Sequence, residues 1–382
     1  MTPAADGERP WLIDGRALDG FSGVRGIGTY LRSLLAAYAE LGVASRVLLL
    51  TERGATPGPA TASLGLRQGP AVRRVKRRLQ PLLDPLLVSV ALRRSHPALY
   101  HAIEWAQPLI AGGVPVVLTI HDLIPFLYPR EHVWVRRERL LALRQARHAD
   151  AVVVPSRATA GDVERLGHVD PARITVIPHG VDASFRPATE EAVDAVRRRL
   201  GLADEPYLLT TGTLDPRKRR DLLARAVAAL RRDTPVRLVI AGDQGIFLPL
   251  VDRALAEAGI AAQTVLPGFV SHEELVALYS GAAAFVFPSA YEGFGLPLLE
   301  AMACGTPVVA FDNSAHPEVA GDAAELVADG DLPAFTTAIE RVLAEPAAIR
   351  ATRVERGRAR AATFEWRASA EAHLRLYRSL AA

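Results

Sequence analysis

Two glutamates stand eight residues apart in "AYEGFGLPLLEAMACG" (290–305), Glu292 before and Glu300 after a Gly-Phe-Gly-Leu-Pro turn. Carboxylates in so apolar a stretch could act as an acid/base pair or hold the hydroxyls of a polar ligand. The turn lies between the apolar run "AAFVFPS" (283–289) and the helix-like "PLLEAMAC" (297–304), so it should join a strand to a helix. Unpaired N–H groups at a helix N-terminus suit an anion such as phosphate. Gly293 and Gly295 let such a ligand approach the backbone, and Phe294 and Leu296 add amides. Pro297 suits the first helical position and Gly305 the C-terminal cap. Glu300 is expected in the first helical turn and Glu292 ahead of it, bracketing one extended ligand rather than touching. On these residues alone, a first-turn acid worth ~0.3–1 kcal/mol against the helix dipole and a solvated loop glutamate account for the pair equally well.

A second stretch, "LLTTGTLDPRKRRDLLARAVAAL" (208–230), also runs strand, turn, helix. Arg217, Lys218, Arg219 and Arg220 crowd the expected helix start, where positive charge opposes the macrodipole. An anion between them explains that choice. Arginine grips phosphate with two parallel hydrogen bonds and lysine acts as a point charge, so Arg217 and Lys218 suit a diphosphate. Arg219 and Arg220 read equally as a solvated basic face.

These turns need a scaffold that presents strand ends. Short apolar runs alternate with amphipathic helical runs in both halves, the pattern of a parallel α/β sheet. Buried strands are expected at 114–120, 149–156 and 173–180, then at 207–213, 236–242, 264–270, 283–289 and 307–311. The polar run from Val181, "VDASFRPATEEA", reads as the interdomain linker, and the Gly/Pro/Ala-rich segment 54–70 as a surface loop. The 382 residues favour two domains, and ligands of such sheets lie beyond the carboxyl ends of the strands.

Composition narrows the function classes. With 49% hydrophobic and 23% charged residues the chain is globular, and a formal charge of +3 gives no argument for nucleic acid. The single cysteine, Cys304, excludes an internal disulfide and a cysteine zinc cage, and reads as a small buried apolar residue. The first residues lack a secretory signal and no stretch approaches the ~20 apolar residues of a membrane span. A cytoplasmic protein is expected.

Glu292 and Glu300, preceded by "GTLDPRKRR" and followed by "GTPVVAFDNSAHPEV", resemble the motifs of the retaining GT-B glycosyltransferases of family 4. The likeness runs along nearly the whole chain, through "GVRGIGTYLRSLL", "HDLIPFLYP", "VVVPSRATAGDV" and "VIPHGVDASFRP". It implies an α/β protein with two doubly wound Rossmann-like domains facing a central cleft. Residues 1–184 would bind the acceptor, 185–364 the sugar nucleotide, and a C-terminal helix, 365–382, would pack back toward the first domain.

Carried over by position, Arg217 and Lys218 hold the donor diphosphate and stabilise the departing charge, with Thr213 beside them. Gly293, Phe294, Gly295 and Leu296 add the backbone of the turn. Glu292 bonds the donor sugar's hydroxyls, Glu300 holds the ribose, and Phe269 and Val270 border the nucleobase. Many members carry arginine directly after the glycine of the first C-domain strand, whereas this chain has Gly212-Thr213 and looks like the "GTL-x-PRK" branch. His121, in "TIHD", matches a family histidine near the donor sugar, where it could bond a hydroxyl or manage the acceptor proton. His179, in "IPHG", reads as structural. Gly26, Ile27 and Gly28, with Gly23, precede a helix and would cover the diphosphate and acceptor side; Leu31 replaces the third glycine of a dinucleotide fingerprint.

The resemblance implies a hexosyl donor such as GDP-mannose, with a UDP-sugar close behind, and a saccharide, lipid-linked or natural-product acceptor. No cofactor and no metal is expected: "DGD" (329–331) imitates a metal-binding Asp-x-Asp, but Asp331 reads as a helix cap. Segment 72–94 carries arginines at both ends of an apolar middle and could rest on the inner face of a membrane. Pro81 and Pro85 predict instead a helix pair with a solvated basic face. A sugar-nucleotide epimerase and a non-catalytic nucleotide binder are the rival functions. Glu292→Gln and Lys218→Ala are each expected to lower turnover by orders of magnitude with folding intact.

Overall fold

The computed structural model describes residues 9–19, 26–51, 61–63, 70–104, 108, 110–129, 140, 143–202, 205–230, 235–243 and 245–381. The chain divides into two compact units, Met1–Gly180 with Trp366–Ala382, and Val181–Glu365.

The first unit holds strands β1 (Trp11–Asp14), β2 (Val47–Thr51), β3 (Thr61–Ser63), β4 (Leu99–Ala102), β5 (Val116–Thr119), β6 (Ala151–Val154) and β7 (Ile174–Val176). They form one parallel sheet in the order β3-β2-β1-β4-β5-β6-β7. Helices α1 (Gly26–Glu40), α2 (Pro70–Ser95), α3 (Ile124–Leu127) and α4 (Arg157–Gly167) belong to the same unit. Because side chains alternate across a strand, Trp11 and Ile13 enter the core on one face of the sheet and Leu12 the core on the other.

The second unit holds β8 (Tyr207–Thr211), β9 (Arg237–Ala241), β10 (Thr264–Gly268), β11 (Ala284–Phe287), β12 (Val308–Asp312) and β13 (Glu325–Ala328). This sheet is also parallel, in the order β10-β9-β8-β11-β12-β13. Its helices are α5 (Glu190–Arg199), α6 (Arg220–Ala229), α7 (Leu248–Glu257), α8 (His272–Gly281), α9 (Leu296–Ala303), α10 (His316–Ala320), α11 (Leu332–Leu343) and α12 (Ala347–Ala362). β8 and β11 are buried along their whole length, as continuous apolar strands covered on both faces must be. The last helix, α13 (Trp366–Ala381), packs on α1 in the first unit. There Tyr38 Oη donates to Tyr377 Oη at 3.2 Å and Tyr30 Oη meets His373 Nε2 at 2.9 Å.

Strand order fixes where each sheet opens. In the second unit the connections run outward from β8 through β9 to β10, then return to β11 on its other side. The carboxyl ends of β8 and β11 therefore flank a topological switch point, the place where doubly wound sheets accept ligands. β1 and β4 play the same part in the first unit.

Several expectations need correction. Segment 72–94 is not a helix pair: it lies within the single helix α2, which continues through positions 81 and 85. A proline in a helix interior costs about 3 kcal/mol, and full burial of a Val or Leu returns about 1.5–3 kcal/mol. Val88 and Leu92, buried against the sheet, offset that cost. The loop expected over 54–70 contains β3, paired with Leu49–Thr51, and α2 begins at Pro70; its residues 54–60 and 64–69 lie outside the described set. The run from Val181 is no free linker. Its Val181 N–H donates to Phe364 O at 2.9 Å and its Ala188 N–H to Ser280 Oγ at 2.9 Å, which bind it into the second unit. By contact the chain divides between Gly180 and Val181 and between Glu365 and Trp366.

Candidate functional site

β8 ends at Thr211, and Gly212 turns the chain at φ +107°. A Cβ on Gly212 would lie 3.4 Å from the Lys218 side chain, so the glycine leaves room for the lysine to lie back over the strand end. The short 3₁₀ turn Pro216–Lys218 then brings Arg217 and Lys218 inward, both buried. From β11 the chain passes through Ser289 and Glu292 to Gly295, at φ +102°, which caps α9. Ala290 N–H donates to Arg217 O at 2.9 Å and ties the two turns together.

One carboxylate oxygen is the hub. Glu292 Oε1 accepts from Lys218 Nζ at 2.6 Å, Arg217 Nη1 at 2.8 Å and Ser289 Oγ at 2.6 Å. Arg217 also donates to Tyr291 O, its Nε lies 3.4 Å from Asp215 Oδ1, and Lys218 Nζ sits 4.8 Å from the centre of the Phe287 ring. Arg220, expected as part of a solvated face, is buried too: it donates to Thr210 Oγ1 and, at 2.7 Å, to Thr211 O. The charges do not balance. Among the described residues the buried Arg217, Lys218 and Arg220 gather around Asp215 and Glu292, three cationic side chains to two carboxylates. Such an excess is the property of a site that receives an anion.

The ionisations follow. Burial alone would raise the Glu292 carboxyl, but the Arg217 and Lys218 charges outweigh it and hold the group well below the usual carboxylate range. Burial, with Arg217 beside it, lowers the Lys218 ammonium against the pull of Glu292. Burial also brings the Arg220 guanidinium down to about 10.

Glu300 belongs to a different environment. It is the fifth residue of α9, so it does not occupy the expected first turn, and the dipole account of it does not apply. Its Oε2 accepts from Tyr279 Oη at 2.9 Å, and Tyr279 Oη in turn meets Thr211 Oγ1 at 3.1 Å. Burial, reinforced by Asp182 and opposed by the Tyr279 bond, pushes Glu300 up to about 7. Among the described residues the two glutamates share no hydrogen-bond partner, although the Lys218 charge reaches both.

Of the other expected residues, Gly293, Phe294 and Gly295 are buried in the turn, with the Phe294 ring edge-on to Phe364 at 5.7 Å; Leu296 opens α9 and Pro297 is its second residue. Thr213 donates to Asp215 Oδ2. Phe269 and Val270 follow β10 at the same carboxyl edge, Phe269 with its side chain 78% exposed. In the first unit, Gly26, Ile27 and Gly28 do not precede the helix but form the first turn of α1; Gly23 lies outside the described residues. His121 Nε2 donates to Ile103 O at 3.1 Å, and its ring lies edge-on to Tyr30 at 4.8 Å. His179 is buried and stacked on Trp366 at 5.7 Å. Asp331 caps α11 by accepting from Ala334 N–H at 3.0 Å. Among the described residues no group of three or more His, Cys, Asp or Glu side chains gathers as a metal set, and no helix is long and apolar enough to cross a membrane.

Ser289 and Asp215 carry no expectation from the sequence, and Arg220 stands open there between an anion site and a solvated face. The signal for Ser289 is its place two residues past a buried strand and three before Glu292; for Arg220 it is proximity to the threonines that end β8.

Comparison with known proteins gives matching results for both units. Residues 24–185 match the family model described as Glycosyltransferase Family 4, and residues 193–360 that described as Glycosyl transferases group 1. The chain is 31% identical over 296 residues to the O-antigen chain mannosyltransferase B of Escherichia coli, covering 75% of each. Among solved structures, a sucrose-phosphate synthase from Thermosynechococcus elongatus superposes with a TM-score of 0.78 at 25% identity, over 98% of this chain and 99% of the other. Anabaena Alr3699/HepE in complex with UDP and glucose does so with a TM-score of 0.76 at 18% identity, over 97% of this chain and 100% of that one.

Proposed function

This chain, a two-domain α/β protein of the GT-B fold, belongs to glycosyltransferase family 4, and on that premise we propose that it is a retaining hexosyltransferase using GDP-mannose. The observation that carries the donor site is the buried excess of positive charge at the β8/β11 switch point. A nucleoside diphosphate sugar supplies the missing anion.

As the glycosyl–oxygen bond breaks, positive charge develops at the anomeric carbon and negative charge on the leaving phosphate. Donors already aimed at that phosphate need no reorganisation, and by precedent in acyl transfer one such donor is worth about 2.7–4 kcal/mol. Lys218 and Arg217 take that role, joined by the N-terminus of α9 at Gly295–Leu296. Glu292 keeps the two cations in place and bonds the donor sugar's hydroxyls. Glu300 bonds the ribose; its raised proton affinity makes it a hydrogen-bond donor as well as an acceptor near neutral pH. Gly293 and Phe294 shape the turn, and Thr213, Phe269 and Val270 complete the donor contacts. In the first unit, His121 and the α1 turn Gly26–Gly28 serve the acceptor side.

Mannose is favoured because the Escherichia coli relative is by name a mannosyltransferase, and the acceptor class by its O-antigen chain, a saccharide. A UDP-sugar is the second reading, supported by the Anabaena neighbour solved with UDP and glucose. A thermal-shift comparison of GDP and UDP decides the base, since binding raises the melting temperature by mass action. Mannosyl transfer from GDP-mannose to a saccharide acceptor, followed by NMR, then tests the sugar and the retained configuration. Conversion of donor without acceptor would establish the epimerase instead.

A further inference from the structure

Among the described residues of the second unit, two that are not glycine hold left-handed backbone, Arg219 at φ +49° and Ser314 at φ +46°. L-residues adopt that conformation at a steric cost, so each needs a reason. Both flank the cationic hub. Arg219 directly follows Lys218, and Ser314 Oγ accepts the Glu292 N–H at 3.0 Å.

A chain of bonds connects them around the outside. Arg219 grips Asp329 with two prongs, Nη1 to Oδ1 at 2.5 Å and Nη2 to Oδ2 at 3.1 Å. Asn313 Nδ2 donates to the same Asp329 Oδ1 at 2.6 Å and to Ser289 O at 3.1 Å, while Ser314 Oγ donates to Asn313 Oδ1 at 3.1 Å. Ser289 Oγ closes the ring on Glu292 Oε1 at 2.6 Å.

Arg219 follows β8, Asn313 follows β12 and Asp329 follows β13. With β11 and β12 lying between β8 and β13, and strands roughly 4.8 Å apart, the bonds span about 14 Å of the carboxyl edge. The Arg219 and Asp329 side chains are 26% and 41% exposed, and an ion pair so exposed does little for global stability. What it can do is fix position.

We propose that Arg219, Asp329 and Asn313 form a brace that positions the Lys218 and Glu292 backbones, and through them the two cations, against the leaving phosphate. They are positioning residues and touch no substrate. The role rests on the reading of this unit as the donor site. A misplacement of about 1 Å costs roughly 100-fold in rate, which sets the scale expected.

Arg219→Gly and Asp329→Asn test it. Glycine accepts the left-handed backbone, so Arg219→Gly removes the brace without adding strain. Both variants should lower kcat about 10- to 100-fold with donor KM within about threefold of wild type and the melting temperature unchanged. The double variant should be no slower than the worse single one, since each breaks the same brace. Amide exchange without substrate should quicken at residues 217–219 and 290–292 in both. Wild-type kcat in Arg219→Gly with unchanged exchange would overturn the brace, as would additive losses in the double variant. Quickened exchange in a protein with no transferase turnover would instead overturn the functional reading and leave the brace standing.

Discussion

Glu292→Gln is the perturbation the structure speaks to most directly, and it reverses an expectation drawn from sequence, that folding would be untouched. In the folded protein the Glu292 carboxylate sits 2.8 Å from Arg217 Nη1 and 2.6 Å from Lys218 Nζ, in a cluster with Arg220 and Asp215 that already carries one positive charge too many. Neutralising Glu292 leaves three buried cations with one carboxylate. Removing one partner of a buried pair costs about 3–5 kcal/mol, which for a unit the size of Val181–Glu365 lowers the melting temperature by roughly 6–20 °C. Urea titration at pH 7.5, followed by circular dichroism, reads that loss. Lys218→Ala in the same background restores the original charge difference, so the double variant should recover part of the stability. Saturating GDP or UDP should raise the melting temperature of Glu292→Gln more than that of wild type, because the diphosphate replaces the lost charge. A Glu292→Gln protein with wild-type stability and an unchanged nucleotide response would refute the charge argument.

Other outcomes follow from neighbouring features. Lys218→Ala should fold normally, since Glu292 keeps Arg217 and Ser289, yet lose about 100- to 1000-fold in kcat, measured as donor turnover. Glu300 binds its proton more tightly folded, at about 7 against an ordinary 4.5, so its stabilising effect is complete below pH 4.5 and is lost as pH rises through 7. Glu300→Gln should therefore gain on wild type by up to about 3 kcal/mol between pH 5 and pH 8 in urea titrations; a gap constant with pH would count against it. Gly242→Ala should unfold the β8–β9 corner, because a Cβ there would lie 2.2 Å from Gly212 O on a backbone at φ +143°. Loss of soluble protein or of nucleotide-induced stabilisation would report it.

Much of this was legible in the sequence for identifiable reasons. β8, β11 and β12 are continuous apolar runs ending in glycine, proline or polar turns, so their ends, where Arg217, Lys218 and Glu292 lie, could be located by pattern. Strands β1 and β4 carry Asp14 and His101 among only four residues each, which interrupts the apolar run, and the pattern did not single them out. α2 defeated a local rule because packing around Val88 and Leu92 offsets much of the cost of two prolines. The sequence could place Glu292 and the Arg217–Lys218 pair at strand ends but could not show that three partners converge on the one Glu292 oxygen, nor that Arg220 turns inward.

The second unit leaves and rejoins the first at adjacent points, with Val181 N–H bonded to Phe364 O at 2.9 Å. In terms of biosynthesis it is an insertion. A ribosome delivers Val181–Glu365 in full before the Trp366–Ala381 helix that completes the first unit's core through Leu374 and Tyr377. The half that emerges first cannot complete its core until Trp366–Ala381 has followed the whole of Val181–Glu365.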